Sequence, residues 1–316
     1  MSRMSEYVRK SFKMNDEIRD AGLTTPADVV RYDDILYGSD EVWQRLDVYR
    51  PAEAEGKTLP VIVSVHGGGF VYGDKELYQY YCMNLAQKGF AVVNFTYRLA
   101  PEFLFPAAME DTNLVFSWVL AHAKEYGMDA GRVFAVGDSA GANLLGLYTA
   151  ACTNPAYAAS YAFSVPEGFC PRAVALNCGV YCPQIVEGRK DMMSELLKEY
   201  LPQGGTQEEL EQITLPAHVA SDFPPVFLMT AANDFLKEEA LTLAKKLTEE
   251  NVLFRFHFYT GHSFSCGAPA AKAGTPGGEE GQEAQPGHVF HLNMRSSLAD
   301  QCNTEECAFF RQFFEE

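Results

Sequence analysis

The apolar positions of this chain follow two alternating rhythms. Short continuous apolar runs bounded by turn residues, Val61 to Val65, Ala91 to Phe95, Val133 to Val136, Ala173 to Leu176 and Val226 to Met229, predict strands covered on both faces. Helical patterns lie between them. The clearest is Lys237 to Glu250, where Ala240, Leu243, Ala244 and Leu247 make one apolar stripe opposite Lys245, Lys246 and Glu249. Strands alternating with helices predict an α/β fold with a mainly parallel sheet packed between helices. Leu46 and Val48 alternate with Arg45 and Asp47, and Phe254, Phe256 and Phe258 alternate with Arg255 and His257, as strands nearer a sheet edge would. About eight strands are expected, in a single domain over residues 1–316.

Two stretches break this rhythm and are expected to form a small helical cap over the sheet: residues 1 to about 35, and about 183–222, which contains the helical pattern Asp191 to Tyr200. Gly267 to Gly287 is rich in Gly, Ala, Pro and Glu and lacks any large apolar side chain. Such a segment buries too little surface to offset its ordering entropy, so a flexible insertion is expected over about 266–287.

Composition narrows the functional classes. The chain has 316 residues, 47% hydrophobic and 21% charged, as in an ordinary globular core. Its 25 basic and 42 acidic residues leave a formal charge of -17, which repels phosphate backbones and anionic membrane surfaces. Nucleic acid and membrane are therefore not expected as partners. No stretch approaches the roughly 20 apolar residues that cross a bilayer, and the N-terminus runs into the charged stretch Lys10 to Arg19 without an apolar signal core. A cytoplasmic protein is expected. The eight cysteines lie far apart, and no pair has the two-residue spacing of a zinc knuckle or a redox motif, so reduced, incidental thiols are expected.

Gly137-Asp138-Ser139-Ala140-Gly141 follows the run ending at Val136 and opens a helical pattern through Leu144, Leu145 and Leu147. That context marks a nucleophile elbow: a strained serine on a tight strand-to-helix turn, flanked by glycines because side chains there would strike neighbouring backbone. The helix N-terminus then faces developing negative charge. Upstream, His66-Gly67-Gly68-Gly69-Phe70 ends the strand Val61 to Val65. Without side chains, the glycine amides can approach a ligand oxygen closely. Two of them, joined by the N–H of Ala140, would form an oxyanion hole worth about 3 kcal/mol per donor in the transition state. His66 precedes the nucleophile and is expected to be structural, hydrogen-bonded under the loop.

These motifs, together with Tyr97-Arg98-Leu99-Ala100-Pro101-Glu102, Phe105-Pro106-Ala107 and Asp111, make the chain resemble the bacterial hormone-sensitive-lipase-like carboxylesterases, a branch of the α/β-hydrolase family. The resemblance covers about residue 43 to the C-terminus. It implies an α/β-hydrolase fold with a cap built from the N-terminus and a mid-chain insertion, and activity on small carboxylic esters. It also implies oxyanion donors at Gly68, Gly69 and Ala140, with Glu102 and Asp111 as structural supports. Ala142 stands where many relatives have another glycine.

A serine alkoxide needs a proton acceptor, and the acceptor an orienting carboxylate, in the chain order serine, acid, histidine. Asp234 is the expected acid, because it lies just past the apolar strand Val226 to Met229; a helix N-cap role is the alternative. Asp222 precedes that strand and falls at the wrong sheet edge. Two histidines compete as base: Gly261-His262-Ser263-Phe264 follows the last strand directly, and Gly287-His288-Val289-Phe290 keeps the distance to the final helix short. Asn303-Thr304-Glu305-Glu306 reads as the capping-box start of that helix. His288 is the expected base and His262 the rival, while His257 falls inside a strand and His291 follows the motif instead of heading it.

The expected activity is hydrolysis of short-chain carboxylic esters through an acyl-enzyme on Ser139, with no cofactor or metal and a small-molecule ester as the partner. A sugar-ester deacetylase, a serine peptidase and a non-catalytic ligand-binding relative are the alternatives; the last would need a missing triad member. Homodimer formation stays open. The charges of the mid-chain segment, Glu187, Arg189, Lys190, Asp191, Glu195, Lys198 and Glu199, suit a solvated covering better than a lipid-docking face.

Overall fold

A computed structural model describes residues 3–188, 190–260 and 285–315. Its strands are β1 (Val29–Leu36), β2 (Arg45–Pro51), β3 (Leu59–Val65), β4 (Ala91–Phe95), β5 (Met128–Asp138), β6 (Val174–Asn177), β7 (Val226–Ala231) and β8 (Phe254–Tyr259). They form one sheet in the order β1-β2-β4-β3-β5-β6-β7-β8. The β1/β2 and β2/β4 pairs are antiparallel and the remaining pairs parallel. The helices are α1 (Arg3–Asp20), α2 (Lys75–Gln87), α3 (Ala107–His122), α4 (Ala140–Thr153), α5 (Pro155–Ala158), α6 (Met192–Tyr200), α7 (Gln207–Gln212), α8 (Lys237–Glu249) and α9 (Ser297–Phe310).

The continuous apolar runs are the central strands, buried on both faces. Period-two alternation sends Val61, Val63 and Val65 into a core shared with Val115 of α3 and Leu144 of α4. Ile62, Val92 and Phe134 point the other way, against Tyr81 of α2 and Phe310 of α9. Each such side chain contributes about 1.5–3 kcal/mol by leaving water. The pattern that specified the strands therefore also fixes the layers.

Two expectations need correction. The segment to about residue 35, expected in a cap, is divided: α1 packs against α6, whereas Val29–Leu36 is an edge strand of the sheet. That strand has no clean alternation because its register shifts between Tyr32 and Ile35, where Asp34 takes φ 59°, and only Val29 is buried. Its pairing rests on backbone hydrogen bonds to β2 that side-chain patterning does not report. The final helix starts at Ser297, capped by the Ser296 hydroxyl, and not at Asn303. Asn303 and Glu306 are buried instead: Asn303 donates to the His291 carbonyl, and Glu306 accepts from Tyr81 and Asn177. The residues of the apparent capping box make tertiary contacts, which sequence spacing cannot distinguish from a cap.

His262 and residues 266–284 of the expected insertion lie outside the described residues. Among the described residues, no helix is long and apolar enough to cross a membrane.

Candidate active site

Ser139 joins β5 to α4 with φ 52° and ψ -119°, in the region that side chains rarely adopt. Its neighbours explain how the strain is held. A Cβ on Gly137 would stand 2.6 Å from the Gly141 carbonyl oxygen, and one on Gly141 would stand 2.1 Å from that of Val65. The two glycines therefore allow α4 to turn back against β3 and β5. The Ser139 N–H donates to the Asn177 carbonyl at 2.9 Å, tying the turn to the end of β6. As N-cap of a 14-residue helix, the serine sits where orphan N–H groups and the helix dipole present positive potential.

Ser139, His288 and Asp234 form one continuous hydrogen-bonded chain. The Ser139 Oγ lies 3.0 Å from His288 Nε2, and His288 Nδ1 lies 2.8 Å from Asp234 Oδ1. An ionised carboxylate only accepts, so Nδ1 carries the ring proton and Nε2 is left to accept from the serine hydroxyl. Asp234 is buried, and burial alone pushes its carboxyl upward. The His288 ring, the Leu236 N–H and the Thr230 hydroxyl outweigh burial and hold it below the usual carboxylate range. Asp234 is not the N-cap of α8: Leu236 holds that position without a side-chain cap, and Asp234 accepts from the Leu236 N–H at 2.9 Å in the turn before the helix.

His288 reaches this position because the chain before it is stitched to the strand end that carries the acid. Asn233 pairs with Gly287 in an isolated parallel bridge, and its N–H donates to the Pro286 carbonyl at 3.0 Å. The exposed ring of Phe235 lies against the imidazole, with centroids 4.4 Å apart. Val289 follows with φ 50°, turning the chain sharply away from the site.

The glycine loop faces the same serine. Gly68 takes φ 120° and Gly69 φ 63°, and a Cβ on Gly68 would stand 2.0 Å from the Tyr72 carbonyl oxygen. Among the described residues, the N–H groups of Gly68, Gly69 and Ala140 have no backbone carbonyl as acceptor. Gly68 lines the pocket with Ser139, whereas Gly69 is not among its lining residues. His66 is fully buried beneath the loop. Its Nδ1 donates to the Gly67 carbonyl at 2.7 Å, its ring stacks on Tyr97 at 4.0 Å, and burial lowers its pKa to about 4. His66 is neutral and lies outside the Ser139 hydrogen-bonded chain.

A model of the α/β-hydrolase fold family matches residues 62–266, more than half of the chain and the part that contains the glycine loop, the elbow and Asp234. The chain belongs to the α/β-hydrolase family. Relatives include esterase LipI of Mycobacterium tuberculosis, 43% identical over 95 residues that make up 30% of this chain and 29% of that protein. Ethyl acetate hydrolase of Pseudomonas putida is 28% identical over 65% of each chain, and mouse (Mus musculus) hormone-sensitive lipase is 35% identical over 38% of this chain and 15% of its own. They mark the hormone-sensitive-lipase-like branch. The chain spans less than two thirds of the length of these relatives. Solved structures align over nearly all of it. Esterase B from Lactobacillus rhamnosis, inhibited by a C4-C4 tributyrin phosphonate, has a TM-score of 0.82 at 25% identity, covering 98% of this chain and 95% of that one. An esterase of Pyrobaculum calidifontis has a TM-score of 0.73 at 24% identity, covering 99% and 94%.

The serine opens into a pocket of about 370 Å³. Phe12, Asp16 and Arg19 of α1 and Met192 of α6 cover it, while Phe235 and Leu292 flank the histidine. Arg19 pairs with Asp16 at 2.9 Å and with Asp20 at 2.6 Å, and Asp16 accepts from the Tyr72 hydroxyl, so one wall is polar and hydrogen-bonded. Phe70 is turned away, stacked on Tyr200 at 4.1 Å. Glu102 binds Arg9 of α1, and Asp111 accepts from Arg98 and Gln44; neither carboxylate lines the pocket. The ligand atoms of Cys178, Asp234 and His288 lie within 4.8 Å of one another, but burial pushes the Cys178 thiol well up, which keeps its proton on. Thr230 and Cys178, which lie close to Asp234, and the pocket residues of α1 belong to none of the sequence motifs. The fold brings the α1 residues to the serine, whereas Thr230 meets Asp234 four residues along the chain.

Proposed function

We propose that this hydrolase is a carboxylic ester hydrolase that works through an acyl-enzyme on Ser139, with His288 as general base and Asp234 as its orienting acid. The observation that carries this reading is the pair of hydrogen bonds, 3.0 Å and 2.8 Å, that joins the three side chains at the mouth of a pocket. The esterase names of relatives and of solved structures with the same fold support it.

In this reading His288 Nε2 takes the serine proton as Oγ attacks the ester carbonyl. The negative charge that appears on the carbonyl oxygen is met by the N–H groups of Gly68, Gly69 and Ala140 and by the N-terminus of α4. Asp234 holds the imidazole in the productive tautomer and stabilises its cation. The imidazolium then protonates the departing alcohol, and water, deprotonated by the same nitrogen, releases the acid. A purely binding role would call for a missing member of the trio, and none is missing. The polar covering and the modest pocket favour small esters with short acyl chains.

The test is Ser139→Ala, assayed on a chromogenic butyrate ester, alongside labelling by an alkyl phosphonate that esterifies an activated serine. The variant is expected to lose about 10⁶-fold in kcat and all labelling, while its unfolding temperature is retained. Activity within tenfold of the parent protein would reject the scheme.

A further inference from the structure

The Asp138 side chain lies directly before the nucleophile and lines the same pocket, where it is hydrogen-bonded through Tyr78 to the glycine loop. Its Oδ2 accepts from the Tyr78 hydroxyl at 2.8 Å, and the Tyr78 oxygen accepts from the Gly67 N–H at 2.8 Å. Asp138 and Tyr78 are both buried. A phenol has a single proton, so giving it to Asp138 leaves the phenolic lone pairs facing Gly67. The other end of that residue is held as well, because the Gly67 carbonyl accepts from His66 Nδ1. No Cβ fits at Gly67: it would stand 2.7 Å from Asp138 Oδ2. Gly67 precedes Gly68 and Gly69, so the direction in which their N–H groups point depends on the peptide that Tyr78 and His66 clamp.

Building on the esterase reading, we propose that Asp138 is a positioning residue that acts through Tyr78 and Gly67 to aim the oxyanion donors at the carbonyl carbon's oxygen. The elbow thereby carries, in adjacent residues, both the nucleophile and the anchor of the groups that stabilise its product. A displacement of the loop by a fraction of an ångström weakens donors that are useful only at about 2.7–3.1 Å from the oxyanion. Binding of the neutral ester depends on the pocket walls and is much less affected.

Tyr78→Phe keeps the ring and removes the hydroxyl. On a chromogenic butyrate ester it is expected to lower kcat at least about tenfold with KM changed less than about threefold, and to slow phosphonate labelling by a similar factor, since that reaction uses the same donors. Asp138→Asn keeps an acceptor for the phenol and is expected to retain most of the activity, whereas Asp138→Ala should match Tyr78→Phe. Because the two residues act in series, the double variant Asp138→Ala/Tyr78→Phe should be little worse than either single one. Cooperative thermal unfolding checks each variant, and if Asp138→Ala does not fold, Tyr78→Phe and Asp138→Asn decide the matter. A folded Tyr78→Phe with kcat within twofold of the parent, a loss confined to KM, or losses that multiply in the double variant would overturn the relay while leaving the esterase reading intact. A parent protein with neither ester turnover nor labelling would remove both.

Discussion

Asp234 Oδ1 and His288 Nδ1 stand 2.8 Å apart although 54 positions separate the two residues in sequence. The contact fixes which imidazole nitrogen is protonated. Asp234→Asn is therefore expected to lower kcat about 10⁴-fold, because an amide stabilises the opposite tautomer. Initial rates on a chromogenic ester provide the measurement. A loss below tenfold would reduce Asp234 to its bond with Leu236 at the start of α8.

The second expectation separates the two histidines. His288→Ala should lower kcat by several orders of magnitude. His262→Ala should change it less than tenfold. Chemical rescue by added imidazole in the His288 variant would strengthen the assignment, whereas the reverse pattern of losses would transfer the base to His262.

The third concerns acyl length. Within α6, Leu196, Leu197 and Tyr200 are buried while Glu195 and Lys198 pair at 2.8 Å on its outer side, so the helix offers no apolar face to an oil surface. A pocket of about 370 Å³ limits the acyl chain, and preference for roughly two to six carbons is expected. A profile of kcat/KM across p-nitrophenyl esters measures this. Faster turnover of laurate than of butyrate, or activation at an interface, would contradict it.

The fourth expectation is a pH effect on stability. Burial raises the Glu306 carboxyl from 4.5 to about 7, against the opposing hydrogen bonds from Asn177 and Tyr81. The folded state therefore holds a proton that the unfolded chain releases between these values. Glu306 contributes stability that is full below about 4.5 and is lost as the pH rises through about 7. Glu306→Gln removes this titration, and the unpaired Oδ1 of Asn177 can turn to accept from the new amide. Relative to the parent, the variant's Tm should be higher by a few degrees at pH 8 than at pH 5. An offset that stays constant across this range would show that Glu306 does not titrate there.

Most of the sheet was legible in the chain because a strand buried on both faces must be apolar throughout. β4 is Ala91–Phe95, the predicted run itself, and β3 and β7 extend theirs by two residues. The strained serine was legible for a related reason. At Gly137 and Gly141 a methyl group has nowhere to go, so local sterics write the elbow into five consecutive residues. The position of Asp234 followed from the strand that carries it.

What the sequence left open had its cause outside the local segment. β1 is held by backbone pairing with β2, so its side chains show no apolar pattern. Asn303 and Glu306 mimic a helix cap but are committed to His291, Tyr81 and Asn177. His262 and His288 head the same local pattern; the bridge between Asn233 and Gly287 is what delivers His288 to the acid. The Tyr78 link from Asp138 to Gly67 likewise joins three separate elements, and none of them announces it. The sequence by itself determined the layers and the strained turn at Ser139, because burial and backbone sterics act within a few residues. Only the tertiary structure decided which histidine meets Asp234 and what holds the glycine loop, because those choices depend on hydrogen bonds between segments far apart in the chain.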